Sequence, residues 1–533
     1  MSNTAKIFIH PNFKIGEISP RLYGAFLEPI GTMVNGSMYN PRHPTADKKG
    51  YRQDYLNALK ETALPCVRLP GGNFLSGWDW KDSIGPRDKR KTMLDTAWFQ
   101  YYTNEIGLDE YLEWTEMIGS ESMFTINLGT TGLADALHLI EYTNHKGGSY
   151  WSDLRRQYGR ETPYGIKTWY LGNEMDGPWQ IGSWQKDPRG YGILSHEVSK
   201  GLKWIDTRAE TIVCGSSSPF LEHYPQWDLE VLQECYESVD LISLHHYHIA
   251  APGDYAALLG GSRYFEDYIK TEIGLCDFIQ TKLRTPKKMM LSFDEYGSRF
   301  QPLREYMPGR SQAWERPSSD TEREYVRHDP GNMTATMPQR PPQGGDIFPA
   351  LTSASTLLTL LKYADRIKIG CMTRGLGALA STDKDNVWKS ASYYPFTQLM
   401  RYGRGVSLRT EVESDTYDVP GYVIQHHFQY RDQEGIDYIE AAAAYDEASG
   451  ELNVFVINKD WDKNRNVELD LSPFGGIKFE EHIQLYSEDL NAANSFQNPN
   501  AVIPSINKET NFKDGKISAD LQKLSWNVFR FKR

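Results

Sequence analysis

Cysteine is scarce: five residues in a chain of 533, at Cys66, Cys214, Cys235, Cys276 and Cys371, with no C-x-x-C pair. That spacing excludes a disulfide framework and a zinc knuckle, and fits buried thiols in a reducing compartment. No stretch approaches the ~20 apolar residues of a membrane span. The opening Met1-Ser-Asn-Thr-Ala-Lys-Ile-Phe has no apolar signal region, so a cytoplasmic protein without membrane partners is expected. The sequons at Asn35 and Asn332 then read as chance matches. Positive charge is also short, at a net −12 with no basic run, and nucleic-acid binding needs a clustered positive footprint. Several catalytic motifs are missing: there is no GxSxG, HExxH or GxxxxGK[ST]. Serine hydrolases, zinc hydrolases of the HExxH type and P-loop phosphotransferases are disfavoured accordingly.

Aromatic residues, by contrast, are abundant: 14 Trp and 32 Tyr contribute to an aromatic content of 13%. Sugar rings stack their C–H faces on indole and phenol, and a large aromatic core would give the same composition. The length exceeds one ordinary domain and predicts a large domain with a smaller companion. Eight short apolar runs follow one another: Leu22 to Leu27, Cys66 to Leu69, Met123 to Leu128, Thr168 to Leu171, Thr211 to Cys214, Leu241 to Leu244, Met289 to Phe293 and Ile367 to Met372. Amphipathic stretches such as Tyr51–Ala63, Leu108–Ile118, Gly192–Ile205 and Ala350–Tyr363 lie between them. Non-alternating strands interleaved with helices predict a parallel sheet covered outside, either a (β/α)8 TIM barrel over residues 19–400 or an open doubly wound sheet.

After about Tyr402 the texture changes to β-forming runs separated by turns, among them Tyr422-Val-Ile-Gln, Ile436-Asp-Tyr-Ile, Leu452-Asn-Val-Phe-Val-Ile and Trp526-Asn-Val-Phe-Arg-Phe. This predicts an antiparallel, jelly-roll-like β-sandwich over 401–533, joined by a strand from residues 1–18. The segment 300–346 has no periodicity and is rich in Pro, Arg and Gly; a loop that long inside a barrel points to function or flexibility rather than to a structural role.

Polar residues collect at the strand ends, where a barrel places its catalytic groups. Strands one to four end at Glu28, Gly71-Gly-Asn73, Asn127 and Gly172-Asn173-Glu174, strand six at His245-His-Tyr247-His, and strands seven and eight at Asp294-Glu295 and Thr373-Arg374. Glu174 and Glu295 each follow a buried run directly, which desolvates the carboxyl. Retaining glycoside hydrolysis needs two carboxyls about 5–5.5 Å apart, one as nucleophile and one as acid/base; two salt-bridged structural glutamates would give the same pattern. On strand six, alternation puts Ser243, His245 and Tyr247 on one face and His246 and His248 on the other. That split argues against a histidine metal site, so no metal is expected.

These residues bring the chain close to a known family. Leu27-Glu28-Pro29, Val67-Arg-Leu-Pro-Gly-Gly-Asn73-Phe, Leu171-Gly-Asn-Glu174-Met-Asp-Gly-Pro-Trp, Ser243-Leu-His-His-Tyr247 and Leu291-Ser-Phe-Asp-Glu295 together resemble the family 51 glycoside hydrolases, best known as α-L-arabinofuranosidases. The resemblance spans nearly all of the barrel in order. It implies a retaining exo-glycosidase that releases terminal α-L-arabinofuranosyl groups from oligosaccharides, with Glu174 as acid/base and Glu295 as nucleophile. It further implies Asn173, Glu28 and Asn73 as sugar-hydroxyl ligands, His245 and Tyr247 beside the nucleophile, no metal or organic cofactor, and a homo-oligomer, commonly a hexamer.

Three departures bear on specificity. Cys371-Met-Thr-Arg374 stands where the family pattern has Cys-Leu-Ala-Gln, placing Arg374 among the expected substrate-binding residues. Tyr296 replaces the tryptophan after the nucleophile. The segment from Arg299 to Asp346 brings Arg304, Arg310, Arg316, Arg323, Arg327 and Arg340. A pocket for a modified, larger or acidic glycan is the alternative these departures raise, since guanidinium suits oxyanions; a galactofuranosidase, endoglucanase or xylosidase on the same barrel, or a non-catalytic carbohydrate-binding protein, are further alternatives.

Overall fold

A computed structural model describes residues 4–301, 325–332, 345–425 and 428–533. Eight parallel strands close into a barrel in chain order: β1 Gly24–Phe26, β2 Cys66–Leu69, β3 Glu121–Thr125, β4 Thr168–Tyr170, β5 Glu210–Cys214, β6 Leu241–Ala250, β7 Met290–Phe300 and β8 Ile367–Met372. Closure decides against the open sheet. The predicted helices also form; Leu108–Ile118 begins where the Glu110 carboxylate accepts the Gly107 N–H at 2.9 Å and ends at Gly119, whose φ of 81° is left-handed.

Polarity changes along the barrel axis with a period of two. Phe26, Cys66, Met123, Tyr170, Ile212, Leu241, Ile369 and Cys371, one or two from nearly every strand, cluster as an apolar floor. Two residues further on, the inward positions become Arg68 on β2, Ser243 on β6 and Ser292 on β7. The floor excludes water from below, and the polar layer above it faces the C-terminal mouth.

Strands β6 and β7 run well past their apolar cores, paired residue by residue up to Ala250 and Phe300. Their register slips once: Phe293 pairs with Leu244, then Glu295 pairs with His245. Asp294 is the extra residue of a β-bulge, so Asp294 and Glu295 both turn into the barrel although they are neighbours in sequence.

The second layer is a ten-stranded sheet built mainly from residues after 405, with the N-terminal strand Thr4–Glu17 inside it. That strand pairs antiparallel with Val406–Glu413 and parallel with Arg465–Asp470, so the sheet is not purely antiparallel. One face gathers Ile7, Leu408, Ile439, Val454, Val467 and Phe529 into a core of its own. The opposite face of the central strands, with Ala442, Phe455, Ile457 and Trp526, joins the barrel's core. Burial on both faces explains why Ile439–Asp446 and Glu451–Asn458 read as continuous apolar runs.

Helix Ile347–Lys362 is buried on nearly all sides between barrel and sheet, and Ser355 donates to Glu440 of the sheet at 2.7 Å. Tyr422–Gln425 departs from expectation. It pairs with Phe428–Tyr430 in a separate ribbon, and Tyr422 and Tyr430 hydrogen-bond the backbone of Ile249 at the end of β6. The aromatic ring faces hold this ribbon on the barrel, rather than sheet pairing.

Of the arginines in the long segment, Arg304, Arg310, Arg316, Arg323 and Arg340 lie outside the described residues. Arg327 lies in the short strand Val326–Arg327, which pairs parallel with Gln100–Tyr102, and its guanidinium sits 5.5 Å from the Tyr101 ring.

Candidate active site

The ends of β4, β6 and β7 bring Glu174, His245, Tyr247 and Glu295 together. One oxygen of Glu174, one ring nitrogen of His245 and one oxygen of Glu295 all lie within 4.8 Å of one another. In the ring of strands β4 and β7 are three steps apart, with β5 and β6 between them, so the two glutamates converge along a chord and not across the diameter.

Glu295 is held on both oxygens. Arg68 donates to Oε1 at 2.7 Å and Tyr247 donates to Oε2 at 2.7 Å; Thr373 Oγ1 lies 2.8 Å from the same tyrosine hydroxyl. Arg68 also donates to Asn173 Oδ1 at 2.8 Å, and Asn173 in turn faces Asn73 Oδ1 at 3.4 Å. The guanidinium thus fixes the nucleophile candidate and a sugar-ligand candidate with one planar group.

Glu174 follows β4 with a left-handed backbone, φ 45°. Trp179 donates its indole N–H to Oε2, and His245 Nδ1 lies 2.9 Å from Oε1. Burial and the charge of Glu295 raise the Glu174 carboxyl above the ordinary range, although His245 and Trp179 oppose the rise. For His245, burial favours the neutral ring, but Glu295, Asp294 and Glu174 overcome it and raise the imidazole to about 10. A carboxyl that readily keeps its proton therefore stands beside a carboxylate gripped by two donors. That asymmetry suits an acid and a nucleophile.

Glu28, past the end of β1, is buried and accepts the Phe74 N–H at 3.1 Å and the Trp98 indole at 2.6 Å, both on Oε1. Burial, with the Glu295 charge adding to it, pushes this carboxyl well above its ordinary value. Gly72, at φ 71°, lies so close that a Cβ there would fall 2.0 Å from the Glu28 carboxyl carbon; glycine is required at that contact.

Two residue families match the chain: residues 56–249 match "Alpha-L-arabinofuranosidase 1 domain", and residues 320–525 match "Alpha-L-arabinofuranosidase C-terminal domain". The chain is 37% identical to an intracellular exo-α-(1→5)-L-arabinofuranosidase of Halalkalibacterium halodurans and 36% identical to the corresponding enzyme 1 of Bacillus subtilis, in each case over 99% of both chains. Its fold superposes on a family 51 α-L-arabinofuranosidase from Bifidobacterium longum with a TM-score of 0.84 at 28% identity, over 99% of each chain. The chain belongs to the family 51 arabinofuranosidases.

Within this family 51 chain, seven residues expected from the sequence lie together at the C-terminal end of the barrel: Glu28, Asn73, Asn173, Glu174, His245, Tyr247 and Glu295. Arg374 stands apart. It is exposed at the end of β8, with a left-handed φ of 61°, and no described residue forms an ion pair with it. Tyr296 also lies outside the pocket. It pairs with His246 on the outward side of the barrel and is buried in the core there, so its replacement of a tryptophan falls in the packing around the barrel.

His246 and His248 lie on the face opposite His245, as alternation predicted, and serve packing there: His246 stacks on Phe265, and His248 meets the Ala257 carbonyl at 2.8 Å. Arg68, Asp294, Trp98 and Trp179 were missed. For Arg68 a signal existed, since a charge inside the apolar run Cys66-Val-Arg-Leu must find a buried partner. The Glu174–His245–Glu295 convergence is tight enough for a cation, but the Arg68 guanidinium and a protonated His245 already supply positive charge there, which disfavours metal.

Proposed function

We propose that this protein is a retaining exo-α-L-arabinofuranosidase that removes non-reducing terminal arabinofuranosyl groups from short oligosaccharides. The observation that carries the reading is the approach of Glu174 and Glu295, whose nearest oxygens lie within 4.8 Å. That is the separation of double displacement, not of an inverting pair with a water between them. The names of the full-length relatives support the sugar and the exo action, and their description as intracellular favours a cytoplasmic enzyme.

In the first step Glu295 attacks the anomeric carbon while Glu174 donates its proton to the departing glycosidic oxygen, leaving a glycosyl ester on Glu295. In the second step Glu174 takes a proton from water, whose oxygen displaces Glu295 and frees arabinose. Glu28, Asn73 and Asn173 hold the sugar hydroxyls, and Arg68 and Tyr247 keep the nucleophile aimed.

The test is covalent labelling with a 2-fluoro-arabinofuranosyl reagent, followed by peptide mapping. Label on Glu295, absent in Glu295→Ala together with nearly all turnover, is expected; label on another residue would overturn the assignment. Azide should restore activity to Glu174→Ala on 4-nitrophenyl α-L-arabinofuranoside.

Arg374, exposed and without an ion pair among the described residues, favours a second reading, in which the rim accepts an acidic or modified glycan. Faster turnover of uronic-acid-substituted than of plain arabino-oligosaccharides would support it, and full activity on the plain substrate alone would sink it.

A further inference from the structure

The catalytic reading leaves one buried acid without a task. Asp294 is fully buried, directly before Glu295, and the bulge in β7 turns it into the barrel beneath the pocket. It is out of reach of a sugar. Its Oδ2 lies 2.8 Å from Arg68 Nε and 3.4 Å from His245 Nε2, and Ser292 donates to its Oδ1 at 3.1 Å. Each of these two cations holds one of the working carboxyls, Arg68 the Glu295 oxygen at 2.7 Å and His245 the Glu174 oxygen at 2.9 Å.

We propose that Asp294 is a positioning residue, a single buried anion that anchors both catalytic arms, Arg68–Glu295 and His245–Glu174, and thereby sets how readily Glu174 gives up its proton. The proposal rests on the roles assigned above to Glu174 and Glu295. Both ring nitrogens of His245 face carboxylates, Nδ1 toward Glu174 and Nε2 toward Asp294, so both carry protons. A doubly protonated imidazole stabilises the ionised form of Glu174, the form that must accept a proton from water in the second step. Around Asp294 the titratable or polar groups are Arg68 from β2, Tyr170 from β4, Cys214 from β5, Ser243 and His245 from β6, and Cys371 from β8. Arg68 and His245 are the cations among them, and they hold the Asp294 carboxyl below its ordinary range against the opposing effect of burial.

The route from Asp294 to Glu174 therefore passes through His245. Replacing Asp294 by asparagine keeps the size and an acceptor oxygen but removes the charge. The imidazole then loses its proton more easily, and Glu174 keeps its own to higher pH.

The experiment compares wild type and Asp294→Asn on 4-nitrophenyl α-L-arabinofuranoside. The basic limb of kcat/KM is expected to move to higher pH by half a unit or more. Because less of Glu174 is ionised to take the proton from water in the second step, kcat at neutral pH should fall about threefold or more, with a burst of nitrophenol. A folded variant, with a melting temperature close to wild type, whose basic limb does not move would overturn the proposal. Should the variant not fold, ¹⁵N NMR of the wild-type histidines, assigned against His245→Gln, reads the same point. Two protonated ring nitrogens on His245 at pH 7.5 are expected, and a single one would overturn it. Labelling of the wild type at a residue other than Glu295 would instead sink the catalytic reading, leaving the NMR result on Asp294 to stand by itself.

Discussion

Tyr247 donates its hydroxyl to the one oxygen of Glu295 that Arg68 does not hold, at 2.7 Å. The carboxylate is therefore pinned at both ends. A hydrogen bond to a charged group contributes about 1.5–3 kcal/mol. Tyr247→Phe should accordingly lower kcat/KM by about 10- to 100-fold, with little change in melting temperature. Steady-state kinetics with circular dichroism melts check this, and a loss below threefold would show that Arg68 alone suffices.

Arg68 stands between two buried carboxylates, Asp294 and Glu295. Among the described residues Arg68 is the one guanidinium paired with them, and Arg68→Met should cost about 3–5 kcal/mol in urea unfolding. Arg68→Lys restores charge without the planar fork, and should recover stability better than activity. Equal recovery of both would argue against an orienting role.

Glu28 differs in kind, because its carboxyl is pushed up by burial and by Glu295. Both effects favour its neutral form, so Glu28→Gln should fold as well as wild type. Glu28→Ala leaves the Phe74 N–H and the Trp98 indole without their acceptor, at about 1–3 kcal/mol for a buried donor. Differential scanning calorimetry of the two variants separates these outcomes; a Gln variant less stable than the Ala variant would contradict the neutral-acid reading.

His245 makes stability depend on pH. Its folded value, raised from 6.5 to about 10, means the native state binds the proton more tightly than the unfolded chain does. The stabilisation is fully present below pH 6.5 and fades as pH rises through 10, at up to about 1.4 kcal/mol per unit within that window. The difference in unfolding free energy between wild type and His245→Gln should therefore be largest at pH 6 and shrink toward pH 10. A difference that grew with pH would reverse the sign of the argument.

The barrel was legible because its strands are buried on both faces and its helices are not, so the two periodicities alternate cleanly along the chain. Glu174, Glu295 and their neighbours were legible as polar residues ending apolar runs. Two things escaped for physical reasons. Alternation alone sends Asp294 and Glu295 to opposite faces, and only the pairing register with His245 reveals the bulge that turns both inward. The ends of β6 and β7 were underestimated because their inward residues become polar while the backbone ladder continues to Ala250 and Phe300. Trp98 and Trp179 reach the pocket from loops, and nothing in their local sequence distinguishes them from packing residues.

The backbone at Glu174 has a consequence for the enzyme's economy of stability. A side chain other than glycine in the left-handed region costs roughly 1–2 kcal/mol, and Glu174 holds φ at 45°. At most positions alanine is the more stabilising of the two small residues. Here the order inverts: Glu174→Gly should melt above Glu174→Ala, because only glycine occupies that conformation without strain. On the acid/base role proposed for Glu174, this strain is what the fold carries to hold a carboxyl at a position that suits glycine.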